Sequence, residues 1–289
     1  MFNQLLQKKV TRLIGGLLVL SVAALGAAGC GAKDTTGKAA GGNNGQTAAQ
    51  SKTIRFGVSP VPHAEIAKIA KDLLAKDGIE LKIVEFNDYV QPNLALADGE
   101  LDANFFQHKP YLDTFADEHK LDLKTVAGVH VEPMGVYSHK VKSLADLKEK
   151  ARVAIPNDPT NGGRALLLLQ SAGLIKLDPN AGVKATTKDI KENSKGLVIT
   201  ELEAAMLPKI LDDADIAVIN TNFALGAGLN PLKDALTMEG KDSPYVNIVV
   251  VKNGNENNEA IQKLVKALTS PEVKKFIGEK YQGAVVPAF

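Results

Sequence analysis

From residue 53 onward, hydrophobic and polar positions alternate between two rhythms. Short β-branched or apolar runs at Ile54–Val58, Leu81–Phe86, Ala103–Phe106, Arg152–Pro156, Leu197–Thr200, Ile216–Asn220 and Val246–Lys252 predict strands. Helical runs lie between them. In the first, Ile66, Ile69, Ala70, Leu73 and Leu74 recur at intervals of three and four, which places them on one helix face. Further helices are predicted near Pro92–Ala97, Pro110–Glu118, Gly163–Ser171, Ala205–Asp212, Phe223–Ala227, Glu259–Leu268 and Glu272–Lys280. Strands and helices alternating this regularly predict an α/β fold with largely parallel sheets.

Before residue 53 the pattern changes. Residues 1–29 carry Lys8, Lys9 and Arg12 and no acid, and an apolar run from Leu13 ends in the small residues Ala27–Ala28–Gly29. A basic start, an apolar middle and a small-residue end are the parts of a secretory signal peptide. The apolar run covers 17 residues with four glycines, short of the about 20 that a membrane-spanning helix needs. Cys30, the single cysteine, follows directly. A cut before a cysteine resembles the lipobox of bacterial lipoproteins, although Ala27 stands where a larger aliphatic residue is usual. That resemblance implies a lipidated Cys30 that anchors the protein on the extracytoplasmic face of the cell membrane. Two or three acyl chains, at ~0.8 kcal/mol per buried CH₂, would hold it there stably. The alternative for Cys30 is an incidental thiol. Residues 30–52, rich in Gly, Asn, Thr and Gln, then read as a flexible tether of about 25 Å root-mean-square reach.

Composition narrows the class. Of 289 residues 45% are apolar and 23% charged, which excludes a disordered chain. The formal charge of +1 falls to −2 without the leader, since 34 − 3 basic residues then face 33 acidic ones. A nucleic-acid binder driven by net charge is excluded. One cysteine leaves no internal disulfide framework and no cysteine metal cluster. The motifs GxSxG, HExxH, SxxK in a matching context and GxxxxGK[ST] are absent. His63–Ala–Glu65 and His130–Val–Glu132 echo the HxE of zinc deaminases, but the accompanying PCxxC is missing. His130 and Glu132, two apart on an extended segment, supply too few ligands for a metal and read as a pocket wall or a structural pair. No enzyme, cofactor or metal is expected.

Polar and aromatic residues follow five of the strands: Ser59 and His63; Asn87, Asp88 and Tyr89; Gln107 and His108; Asn157, Asp158 and Thr160; Asn220, Thr221 and Asn222. Open α/β sheets bind ligands outside the carboxyl ends of their strands. Any one such set is explained by turn and cap chemistry; five together predict a site. Six of the fourteen Phe and Tyr residues fall between 86 and 115, and Tyr89 with one of Phe105 or Phe106 would give that site an apolar wall. In Ile155–Leu169 a strand runs into a helix that Thr160 or Asn161 can cap, and Gly162–Gly163 permits close approach to its free amides. Arg164 would fall in the first turn, where a cation opposes the helix dipole. It holds either a ligand carboxylate through two parallel bonds or a protein acid such as Asp158.

At these motifs the sequence resembles the methionine-binding lipoproteins of the NlpA family, substrate-binding subunits of methionine ABC importers. The carrying segments are EFNDYVQPNLALADGELDANFFQHKPYL (85–112), HVEPMGVYS (130–138), AIPNDPTNGGRALLLL (154–169), AVINTNFA (217–224), DSPYVN (242–247) and GAVVPAF (283–289). The resemblance implies a two-lobed periplasmic-binding-protein (Venus flytrap) fold, with hinge connections near 130–138 and 243–251. Lobe 1 would comprise residues 53–132 plus 247–289, and lobe 2 residues 133–246. It further implies that Arg164 binds an amino-acid carboxylate, helped by the amides at Asn161 and Gly162. Asn220 and Asn247 would hydrogen-bond the amino and carboxylate groups, and Glu132 would offset the ammonium charge. Tyr89, Phe106, His108 and Tyr245 would enclose the side chain. A monomer serving an ABC permease and its ATPase subunit is the implied partnership. L-Methionine is the expected ligand. D-Methionine, a Gly-Met dipeptide, or a surface adhesin role without transport are the alternatives.

Overall fold

A computed structural model describes residues 52–240 and 243–289. The predicted leader, Cys30 and the tether up to residue 51 lie outside the described residues.

The first part of the chain runs β1 (Lys52–Val58), α1 (Glu65–Lys76), β2 (Ile79–Glu85), α2 (Gln91–Ala97), β3 (Ala103–His108), α3 (Lys109–His119) and β4 (Leu123–Val131). It crosses into β5 (Gly135–Tyr137), β6 (Arg152–Pro156), α4 (Pro159–Ser171), β7 (Lys176–Leu177), β8 (Ile190–Glu192), β9 (Val198–Leu202), β10 (Ile216–Ile219), α5 (Thr221–Gly226), α6 (Pro231–Asp234) and β11 (Ala235–Met238). It then returns through β12 (Val246–Lys252), α7 (Glu259–Leu268), α8 (Pro271–Tyr281) and β13 (Val286–Pro287). Among the described residues, no helix is long and apolar enough to cross a membrane.

Two large sheets result, one per lobe, beside a two-stranded antiparallel pair of β7 and β8. The first has the order β13-β4-β12-β3-β1-β2 and the second β11-β5-β10-β6-β9. Both are mixed, not largely parallel. β1 pairs parallel with β2 and β3, but β12 runs antiparallel to both β3 and β4. In the second sheet β6 pairs parallel with β9 and β10, while β5 runs antiparallel to β10 and β11. Of the antiparallel strands, β5 and β12 are added where the chain crosses between sheets and β13 closes the first sheet against β4, none of which an alternating strand–helix pattern encodes. The crossings are short: Glu132–Met134 outward and 239–245 back.

Each sheet carries its own core. α1 lays Ile66, Ala67, Ala70 and Leu74 on the first sheet and stops at Gly78, whose φ of +71° suits a residue without Cβ. β3 is buried along its whole length, as expected of a strand covered on both faces. In the second sheet, Leu166 and Leu169 of α4 pack with Val153, Ile155, Ile216 and Val218.

Candidate functional site

The sheet topology brings three strand termini of the first lobe together. Asn247, near the start of β12, lies opposite His108 at the end of β3 and opposite His130 at the end of β4. Across the seam stand the end of β10 with Asn220 and the start of α4 with Asn161 and Arg164. A small cavity sits between them. Eight of the nine ligand residues named from the sequence line it: Tyr89, Phe106, His108, Glu132, Asn161, Arg164, Asn220 and Asn247. Gln107, Thr221 and Asn222, which the strand-end pattern already marked without giving them a ligand role, also line it, as does Tyr111 from the aromatic cluster. Tyr245 stands behind Arg164 instead, its ring 4.1 Å from the guanidinium carbon and 5.0 Å from the His108 ring. Phe105 turns into the core against Phe56.

The α4 terminus differs from expectation in five ways. The helix begins at Pro159, so its cap is Asp158, not Thr160 or Asn161, and Arg164 falls in the second turn. Proline at the first helical position explains the early start, because its missing N–H needs no partner there. The amides of Asn161 and Gly162 do not face a ligand: they donate to Asp158 Oδ1 (2.9 Å) and the Asp158 carbonyl (2.8 Å). At Gly163 the close approach is made by the chain itself, since an added Cβ would lie 2.4 Å from the Val183 carbonyl oxygen. The acid facing Arg164 is Glu239, not Asp158. Arg164 Nε and Nη2 donate to Glu239 at 2.8 and 2.5 Å, and Nη2 also donates to the Glu132 carbonyl at 2.8 Å. Nη1 makes no hydrogen bond among the described residues, so the guanidinium keeps one edge for another acceptor. Glu239 lies 75 residues from Arg164 in a stretch without apolar periodicity, and nothing in its local sequence announces the pairing.

Direct bonds join the two lobes around the cavity. The Tyr89 hydroxyl donates to Asn222 Oδ1 at 2.6 Å, and the Tyr89 and Phe223 ring centroids lie 5.0 Å apart. His108 Nδ1 accepts the Tyr111 N–H at 3.2 Å, so its proton is on Nε2, which donates to Asn161 Oδ1 at 3.1 Å. Asn161 Nδ2 donates to both oxygens of Asp158, which orients its own oxygen toward His108 and Asn220 Nδ2 (2.9 Å). Asn220 Oδ1 is then buried without a partner among the described residues. A lone buried acceptor costs about 1–3 kcal/mol unless a donor enters.

Behind the cavity wall is a second group. His63, His130 and Glu132 bring three ligand-type atoms within 4.8 Å of one another. His63 is a third partner that the HxE spacing did not reveal. His130 Nε2 donates to Glu132 Oε1 at 2.7 Å, and His63 Nε2 is 3.5 Å from the same oxygen. Burial lowers the His63 pKa to about 4, against the pull of Glu132, and lowers those of His108 and His130 to about 3. All three rings are therefore neutral at pH 7. Burial also raises the Glu132 carboxyl pKa, held back by His63 and Arg164. Glu132 Oε1 is thus bonded by His130, while the Nδ1 atoms of His63 and His130 are buried without a partner among the described residues.

Two α/β lobes closed over a small polar cavity with aromatic walls define the two-lobed binding-protein class. A family model described as NlpA lipoprotein matches residues 54–289, and the chain belongs to that family. It is 44% identical over 282 residues to a probable D-methionine-binding lipoprotein MetQ of Pasteurella multocida, covering 96% of this chain and 99% of the relative. A nutrient binding protein from Burkholderia cenocepacia, solved bound to methionine, superposes with a TM-score of 0.80 at 48% identity, covering 82% of this chain and all of that one. An ABC transporter periplasmic substrate-binding protein from Coxiella burnetii superposes with a TM-score of 0.78 at 42% identity, covering 81% of this chain and 100% of that one.

Proposed function

We propose that this protein is the lipid-anchored substrate-binding subunit of an ABC importer, and that it captures methionine between its lobes. The observation that carries this is the cavity at the seam, where an unpartnered acceptor, a guanidinium edge and a carboxylate surround a space walled by Tyr89, Phe106 and Tyr111. A buried zwitterion requires a partner for each charge, and a thioether against ring edges gains about 0.3–1.5 kcal/mol per contact. The methionine found in the Burkholderia neighbour supports the same reading.

In this reading Arg164 Nη1 takes the carboxylate, Asn220 and Asn247 bond the two polar groups, and Glu132 offsets the ammonium. Tyr89, Phe106 and His108 enclose the thioether chain, with Asn161 orienting Asn220 and Tyr245 supporting Arg164. The lobes divide as 53–132 plus 247–289 and 133–246. The ligand stabilises the closed state because it touches both, and the closed monomer docks on the permease as the cytoplasmic ATPase cycles. Lipidated Cys30 and the tether hold the protein near that partner and raise its effective concentration.

Protein stripped of ligand by unfolding and refolding should gain about 2.7 kcal/mol at a methionine concentration 100-fold above Kd. No shift of the unfolding midpoint at millimolar methionine would overturn the proposal. The Pasteurella relative is named for D-methionine, so L- and D-methionine and Gly-Met are compared in the same titration. Asn247→Ala should lose binding while the apo protein stays folded. Cys30→Ser should move the protein from the membrane to the soluble fraction; an unchanged membrane fraction would refute the anchor.

A further inference from the structure

His63 is buried, sits in the connection between β1 and α1, and stands behind the cavity wall rather than in it. Its ring is held edge-on against Phe105 at 4.6 Å and beside His130 at 4.9 Å. Its Nε2 lies 3.0 Å from Asn247 Oδ1 and 3.5 Å from Glu132 Oε1, while Nδ1 has no partner among the described residues. A neutral imidazole carries one proton. A bare Nε2 would point its lone pair at a carboxylate, so the proton is on Nε2. Asn247 must then present its oxygen to His63 and its NH₂ to the cavity. On the opposite wall Asn220 is fixed the other way, its NH₂ spent on Asn161 and its oxygen left open.

We propose that His63 is a positioning residue for ligand polarity: its Nε2–H locks the Asn247 amide so that a donor faces the cavity and selects a carboxylate at that end, leaving Asn220 Oδ1 for the ammonium. The inference rests on the methionine reading above and names how that site distinguishes the two charged groups on the ligand's α-carbon. His63 itself never touches the ligand. An Asn247 amide free to turn over would offer a carboxylate its oxygen as readily as its NH₂.

The test compares L-methionine with L-methioninol, whose hydroxyl can donate or accept and so tolerates either amide orientation. His63→Leu, which removes the donor, should weaken L-methionine binding about 10-fold, the range of one misdirected buried hydrogen bond. The loss for methioninol should be about 3-fold or less. His63→Gln, whose terminal NH₂ can replace Nε2–H, should restore the wild-type preference. Equal losses for both ligands would mean that His63 only supports the fold, and would overturn the proposal. In the wild type, ¹⁵N-histidine NMR should show His63 neutral with its proton on Nε2. A proton on Nδ1 would overturn the proposal even where His63→Leu fails to fold. Wild-type protein that binds neither compound would refute the methionine reading and this inference with it. Wild-type methionine binding with an unchanged preference in His63→Leu would refute the inference alone.

Discussion

Arg164 and Glu239 form the best-buried ion pair at the lobe seam, with side chains 4% and 15% exposed. Glu239 accepts two guanidinium bonds and also the Met134 N–H at 2.9 Å, so it ties α4 to the outward crossing. Glu239→Ala leaves a buried guanidinium with one carbonyl acceptor, the Glu132 oxygen. Removing one member of a buried pair costs about 3–5 kcal/mol. The partial exposure of Glu239 puts the expected loss near the lower figure, and a domain of this size would lose about 2–4 °C of Tm per kcal/mol. The expected loss of apo stability is therefore about 3 kcal/mol, or roughly 6–12 °C. Arg164→Leu combined with Glu239→Ala removes both charges, and the double variant should be more stable than the sum of the single losses by about 2 kcal/mol or more. Urea unfolding of the four ligand-free proteins measures this cycle. Additive losses, or a single loss under about 1 kcal/mol, would show that Arg164 is solvated in the apo protein, and the pairing account would fail.

Acid should destabilise the fold earlier than carboxylate titration alone predicts. His63, His108 and His130 have folded pKa values of about 4, 3 and 3, below the unfolded value. The unfolded chain therefore binds more protons, and stability is present above about pH 6.5 and lost as pH falls toward 4. Glu132, shifted upward, binds its proton in the folded state and opposes part of this. A net uptake of about two protons on unfolding, near 3 kcal/mol per pH unit, should appear in urea titrations around pH 5; a flat profile between pH 7 and 5 would contradict it. Gly163→Ala would set a methyl against the Val183 carbonyl, a backbone atom that cannot swing aside. It should cost about 1–3 kcal/mol by thermal melting, and a neutral outcome would place the 182–184 turn further away. Tyr89→Phe deletes the bond to Asn222 across the seam. It should weaken ligand affinity by about 1 kcal/mol, or 5-fold, in calorimetry, and unchanged affinity would mean that the bond plays no part in closure.

Strands whose burial is two-sided were legible in the sequence. Arg152–Pro156 and Val246–Lys252 have the bounds their apolar runs predict, and α7 likewise spans Glu259–Leu268. β4 was missed because its exposure is uneven and Gly128 interrupts it; the glycine is there for contact with Val246, 2.9 Å from where a Cβ would sit. β5 and β11 are too short to show a period and exist because the chain must cross between lobes. For the site, the polar strand ends pointed to Tyr89, His108 and Asn220, since sheet topology turns strand ends toward one seam. His63 followed a strand as well, yet topology placed it one layer behind. Glu239 had no local signal, because its role depends on a partner distant in sequence.

That layering explains why so small a cavity can be selective. Asn220 and Asn247 are chemically identical side chains, and either amide could face a ligand with oxygen or nitrogen. What makes them different lies behind them: an acid, Asp158, acting through Asn161 on one wall, and an imidazole N–H on the other. The acid can only accept, so every bond in its chain runs one way and ends at an open acceptor. The imidazole donates from Nε2, so its chain ends at a donor. A ligand whose ammonium and carboxylate sit side by side on one carbon satisfies both walls in one orientation. Exchanging the two groups would set like polarity against like among buried side chains, where misdirected polar groups cost most.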